Sequence, residues 1–165
     1  MTTFVALDFE TADNGRDSAC SIGLVRVVNS QIVQRVHYLI RPPRPIFRYT
    51  HIHGICWQDV MDHPTFGELW SSINDVLEGA EFLAAHYASF DQRVLYACCD
   101  RHGIPRPCQP FICTVQLARS TWNIRPTKLP NVCNYLGIAL NHHHALSDAE
   151  ACARIVLAAV QPTIA

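Results

Sequence analysis

Lysine is almost missing: this 165-residue chain has a single one, Lys128, against twelve arginines, and its formal net charge is -1. With so little positive excess it cannot draw on many phosphate contacts, which excludes broad non-specific nucleic-acid binding and leaves room only for a small footprint. Long apolar runs are also lacking. No stretch approaches the roughly 18 residues of a membrane-spanning helix, and the N-terminus shows no basic segment leading into an apolar stretch and a cleavage site. No membrane association is expected, and a cytoplasmic location follows as the simplest expectation. Cys-x-x-Cys is absent too, although cysteines stand at 20, 56, 98, 99, 108, 113, 133 and 152. Most fall at apolar positions of helix or strand patterns, so reduced core thiols are expected rather than a zinc site. There is no internal repeat and no low-complexity tract. With 49% hydrophobic residues the chain can bury one good core, and a single domain over 1–165 is expected.

What is present reads as strands followed by alternating strands and helices. Residues 4 to 10, Cys20 to Val28 and Ile32 to Ile40 are strand-like runs, the last two joined at Asn29-Ser30, so an antiparallel meander is predicted. A loop marked by prolines runs from Arg41 to about Pro64 and carries the one local basic cluster, Arg41, Arg44 and Arg48. Helical spacing of Phe66, Leu69, Ile73, Val76 and Leu77 predicts a helix stopped by Gly79. A short strand over Glu81 to His86 precedes a helix with Ser89 as its expected N-cap, and Phe111 to Cys113 is a further strand. Helices are predicted at about Thr114 to Trp122, Lys128 to Leu136 and Ala145 to Val160. This pattern indicates an α/β domain with a mixed sheet.

Four acids interrupt these patterns. In the first strand Phe4, Ala6, Asp8 and Glu10 share one side, which puts two carboxylates next to each other beside an apolar sheet. They repel and lose hydration there unless a cation lies between them. Asp91 shares a helix stripe with Val94, Leu95 and Cys98, and Asp148 shares one with Cys152, Ile155 and Ala159. An acid in the first turn of a helix can serve only as a cap, a reading that fits Asp91 better than Asp148. If all four converge, hard oxygen ligands in that number suit Mg²⁺ or Mn²⁺, and a pair of such ions would clamp a phosphoryl transfer.

Three ordered motifs carry a resemblance: "DFET" with Asp8 and Glu10, "HYASFD" ending in Asp91, and "HHALSDA" with His143 five positions before Asp148. In these the chain resembles the DEDDh (DnaQ-like) 3′-5′ exonucleases, the family of the DNA polymerase III epsilon proofreading subunit, ribonuclease T and oligoribonuclease. "HGI" at 53 to 55, followed by "DHPTF", is similar to the loop that lies over the 3′-terminal nucleotide in that family.

The resemblance implies a ribonuclease H-like fold, with a central five-stranded mixed sheet flanked by helices, and two Mg²⁺ or Mn²⁺ as cofactors. It implies that Asp8 bridges both metals, that Glu10 and Asp148 complete the tighter site, and that Asp91 holds the second. His143 would be the general base, while Thr11 and Ala12 approach the terminal 3′-hydroxyl and His53 and Ile55 the terminal sugar and base. His142 and His144 are expected to be solvated loop residues, since adjacent imidazoles rarely converge on one metal. Tyr87 departs from the pattern, where many family members have Asn. The implied function is release of nucleoside 5′-monophosphates from single-stranded 3′ ends, with DNA favoured over RNA although the residues themselves do not separate the two. A catalytically silent nucleic-acid-binding domain of the same fold is the alternative. Since the sequence ends soon after the last helix pattern, a free-standing exonuclease is expected rather than a polymerase component; the oligomeric state is not legible.

Overall fold

The computed structural model describes residues 2–160; the expected domain limits also take in residues 1 and 161–165, which lie outside the described residues. Five strands, β1 (Thr3–Thr11), β2 (Ala19–Val28), β3 (Gln31–Leu39), β4 (Phe82–Ala85) and β5 (Phe111–Cys113), form one mixed sheet in the order β3-β2-β1-β4-β5. β1, β2 and β3 pair antiparallel, and β4 and β5 continue from β1 in parallel. The helices are α1 (Thr50–His53), α2 (Trp57–Val60), α3 (Phe66–Leu77), α4 (Ala88–Arg101), α5 (Thr114–Trp122), α6 (Leu129–Leu136) and α7 (Ala145–Val160). Among the described residues no helix is long and apolar enough to cross a membrane. The architecture is the expected five-stranded mixed sheet flanked by helices.

Strand alternation divides the core in two. Val5, Leu7 and Phe9 face α3 and α4, packing with Ile73, Leu77, Val94 and Leu95. Phe4 and Ala6 face the other way, toward Val132, Cys152, Ile155 and Val156 of α6 and α7. Asp8 and Glu10 continue that second row to the C-terminal end of β1, where an open α/β sheet forms its natural crevice. Five of the eight cysteines, Cys20, Cys98, Cys99, Cys133 and Cys152, are buried, and all eight are free thiols.

Three local features differ from the sequence expectation. The segment 41–64 contains α1 and α2, four residues each, too short for a helical period to register. The N-cap of α4 is Tyr87 rather than Ser89, with φ 58 and ψ 53 in the left-handed region. Two of the three clustered arginines are committed within the protein: Arg44 forks onto Asp13 and Asp17, and Arg41 pairs with Glu68.

Gly23 decides how close α7 comes. It pairs with Asp8 across β1 and β2, and a Cβ at this position would lie 2.3 Å from the Ala145 carbonyl oxygen. The bare backbone lets the first turn of α7 settle on the sheet, which is what carries Asp148 to Asp8.

Candidate active site

The C-terminal end of β1, the first turn of α4 and the first turn of α7 bring the four acids to one place. Asp8, Glu10 and Asp148 each offer an oxygen within 4.8 Å of the others. Asp91 and Asp148 are only 1% and 3% exposed, which is unusual for charged side chains lacking a cationic partner. Asp91 Oδ1 accepts a hydrogen bond of 3.0 Å from the Phe9 N–H. Asp148 Oδ2 accepts from His142 Nδ1–H at 2.9 Å and from the His143 N–H at 3.1 Å. The remaining oxygen of Asp148, Oδ1, and Asp8 Oδ2 are buried with no hydrogen-bond partner.

Burial pushes the Asp8 carboxyl well above the ordinary range, and Asp91, Asp148 and Glu10 add repulsion. Glu10 is pushed up to about 8, by burial first and then by Asp148 and Asp91. Asp91 and Asp148 are also raised, again chiefly by burial. A cation is what such a set lacks: two orphaned acceptor oxygens among three converging carboxylates fit a hard divalent ion.

This has a measurable consequence. Folded Glu10 holds its proton up to about pH 8, whereas the unfolded side chain loses it near 4.5, so stability falls as pH rises between those values. Neutral histidines oppose this: His86 is lowered to about 4 from 6.5, so it adds stability as pH rises, but that contribution is complete once pH exceeds 6.5. The melting temperature in chelator is therefore expected to decline from about pH 7 to 8, and saturating Mg²⁺ to flatten the decline. Equal slopes with and without Mg²⁺ would show that the acids bind no metal.

Two adjoining lobes make up the cleft around the acids. One, of about 310 Å³, is lined by Thr11, Asn14, Tyr49, Ile52 and His53. The other, of about 360 Å³, is lined by Asp8, His86, Tyr87, Lys128, His142 and Asp148. Glu10, Phe90 and His143 border both. His143 sits at φ 65, stacked on His142 with ring centroids 3.8 Å apart. Burial, then the neighbouring His142, lower its pKa, so the ring is neutral near pH 7 and can accept a proton.

The residues expected around a terminal nucleotide divide. Thr11 and His53 line the first lobe, but Ala12 is fully buried and Ile55 packs on the small cluster beneath it, so neither lines the cleft. His53 accepts from the Ile55 N–H at Nδ1 and donates from Nε2 to the Thr11 carbonyl at 2.9 Å, which ties the α1 loop to the end of β1. Ile52, one residue earlier, presents the apolar surface instead.

His142 is not the solvated bystander expected, because its bond to Asp148 orients a buried acid. His86 was also missed. Its Nε2–H donates to the Thr127 carbonyl and its Nδ1 accepts from Thr114 Oγ1, at 2.9 and 2.8 Å, anchoring the turn that presents Lys128. Its place in "HYASFD", at the end of a strand, is the sequence signal that could have pointed to it.

Fold and site together define a ribonuclease H-like nuclease. The exonuclease family RNase_T matches residues 5–156, and the chain belongs to that family. The matched region is an exonuclease-family domain. The chain is 35% identical over 164 residues to the PolC-type DNA polymerase III of Thermotoga petrophila, covering 96% of this chain and 12% of the polymerase. It is 36% identical over 139 residues to exodeoxyribonuclease 10 of Escherichia coli, covering 77% of this chain and 55% of the relative. The solved structure of exonuclease X in complex with 5′ overhanging duplex DNA superposes with a TM-score of 0.76 at 27% identity, covering 96% of this chain and 90% of that one. The chain thus spans about an eighth to a half of these curated relatives, and the polymerase among them lends no support to the expectation of a free-standing enzyme.

Proposed function

We propose that this chain is a metal-dependent 3′-5′ exonuclease that releases nucleoside 5′-monophosphates from single-stranded ends, DNA in preference to RNA. The observation that carries the reading is the pair of buried, unpartnered oxygens, Asp8 Oδ2 and Asp148 Oδ1, within a converging set of acids. DNA is favoured because the relatives are named as a DNA polymerase and an exodeoxyribonuclease.

Asp8, Glu10 and Asp148 would hold one Mg²⁺ or Mn²⁺, and Asp91 would help to hold a second beside them. When bound, the two ions stabilise the charge that develops on the attacking and leaving oxygens of a phosphoryl transfer. His143, free in the cleft, takes a proton from the attacking water at an imidazole nitrogen. The water oxygen bonds to the terminal phosphorus as the bond to the penultimate 3′-oxygen breaks, and that oxygen takes a proton from solvent. His142 and the His143 N–H fix Asp148 while this happens. Thr11, with His53 bracing the α1 loop, encloses the terminal nucleotide, so a chain end is required.

Blocking the 3′ end with phosphate is expected to stop degradation of a single-stranded oligonucleotide, and a 5′ phosphate to leave it unchanged. Matched DNA and RNA strands, single and double, rank the substrates. Rapid internal cleavage of a circular single strand would contradict the reading.

A further inference from the structure

Tyr87 occupies backbone space that suits glycine or asparagine, at φ 58 and ψ 53, where a bulky side chain is strained. Burial does not offset that strain, for the residue is 51% exposed. Its ring instead forms part of the wall of the lobe that holds Asp8 and Asp148. The ring is also held in place: it meets the His86 ring edge-on, at 5.2 Å between centroids and 82° between planes. His86 is itself tied through both nitrogens to Thr114 and Thr127. Lys128, the single lysine of the chain and N-cap of α6, lines the same lobe. It forms no ion pair with a carboxylate among the described residues, although the lobe is rich in acid.

A fixed, half-exposed aromatic ring beside an uncommitted ammonium is the combination that receives a nucleotide, base on the ring and phosphate on the cation. Given the proposed exonuclease reading, on which this rests, the terminal nucleotide fills the Thr11–His53 lobe and its phosphate meets the acids. The next nucleotide inward then falls in the Tyr87–Lys128 lobe. We infer that Tyr87 and Lys128 form a subsite for this penultimate nucleotide, Tyr87 stacking on its base and Lys128 contacting the phosphate on its 5′ side. Stacking is indifferent to base identity, so the subsite selects for an unpaired, accessible base rather than for sequence.

The test uses binding, with Mg²⁺ present and a non-hydrolysable phosphonate as the terminal linkage of a single-stranded DNA oligonucleotide. Two versions are compared, one with a normal penultimate nucleotide and one with an abasic residue there. The unmutated protein is expected to bind the base-bearing strand about tenfold more tightly than the abasic one. Tyr87→Ala should bind both at the abasic level, and Tyr87→Phe should keep the preference, which separates the ring from any effect on folding. Lys128→Gln should reduce the slope of log affinity against log salt by about one. The subsite is overturned if Tyr87→Ala keeps the preference for the base-bearing strand, or if the unmutated protein has none; an unchanged salt slope removes Lys128 from it. Binding without base preference leaves the exonuclease reading standing, whereas failure to bind either strand removes that reading as well.

Discussion

Asp8→Asn is expected to cut turnover by about 10³-fold or more and, in chelator, to raise the melting temperature. The opposite signs share one cause. Asp8 is crowded by Asp91, Asp148 and Glu10, and its Oδ2 is sealed from water without a partner. Without metal, the charge at this position is repelled and desolvated, so the neutral amide relieves the folded state and can donate to the free Asp148 oxygen. With metal, that charge is the ligand, and the variant should lose most of the stabilisation that Mg²⁺ gives the unmutated protein. Thermal unfolding in chelator and in Mg²⁺, beside an exonuclease assay, reads both effects. A variant that keeps a tenth of the activity, or melts lower in chelator, would show that the acids do not repel one another around a metal site.

His143→Ala is expected to lower turnover by about 10²- to 10⁴-fold, the usual contribution of a positioned general base. Its ring makes no hydrogen bond to Asp148, although a ring nitrogen lies within 4.8 Å of that carboxylate; the bond comes from its backbone N–H, and alanine keeps it. The metal-induced rise in melting temperature should therefore persist. His142→Ala should behave differently, for it releases Asp148 Oδ2 and should weaken metal-induced stabilisation along with activity. His144, which packs beside His37 away from the acids, should tolerate alanine. If His144→Ala were crippling and His143→Ala harmless, the roles in the histidine run would be displaced by one residue.

Much of this arrangement was legible because local periodicity carries it. Strand alternation alone put Asp8 and Glu10 on the face of Phe4 and Ala6, and helix spacing put Asp148 in a stripe with Cys152 and Ile155; both placements match the packing. Contacts between segments distant in sequence were not legible. Nothing near Gly23 announces that the Ala145 backbone will press on it, because 122 residues of chain must fold before the two meet. The bond of His142 to Asp148 spans six positions but depends on how the loop enters α7, which periodicity does not describe. Tyr87 as N-cap ran against propensity, since neither its side chain nor its left-handed backbone belongs to the usual helix start. Ala12 and Ile55 illustrate a different limit: a motif assigns a segment to the neighbourhood of a ligand, while burial decides which of its side chains can touch it.

The central claim is that the four acids act on a nucleic-acid end by holding divalent metal. It is tested most directly by following release of nucleoside 5′-monophosphate from a single-stranded DNA oligonucleotide, first in excess chelator and then after Mg²⁺ or Mn²⁺ is restored. The account predicts no release in chelator and, on restoring the metal, stepwise shortening from the 3′ end; undiminished release in chelator would contradict it.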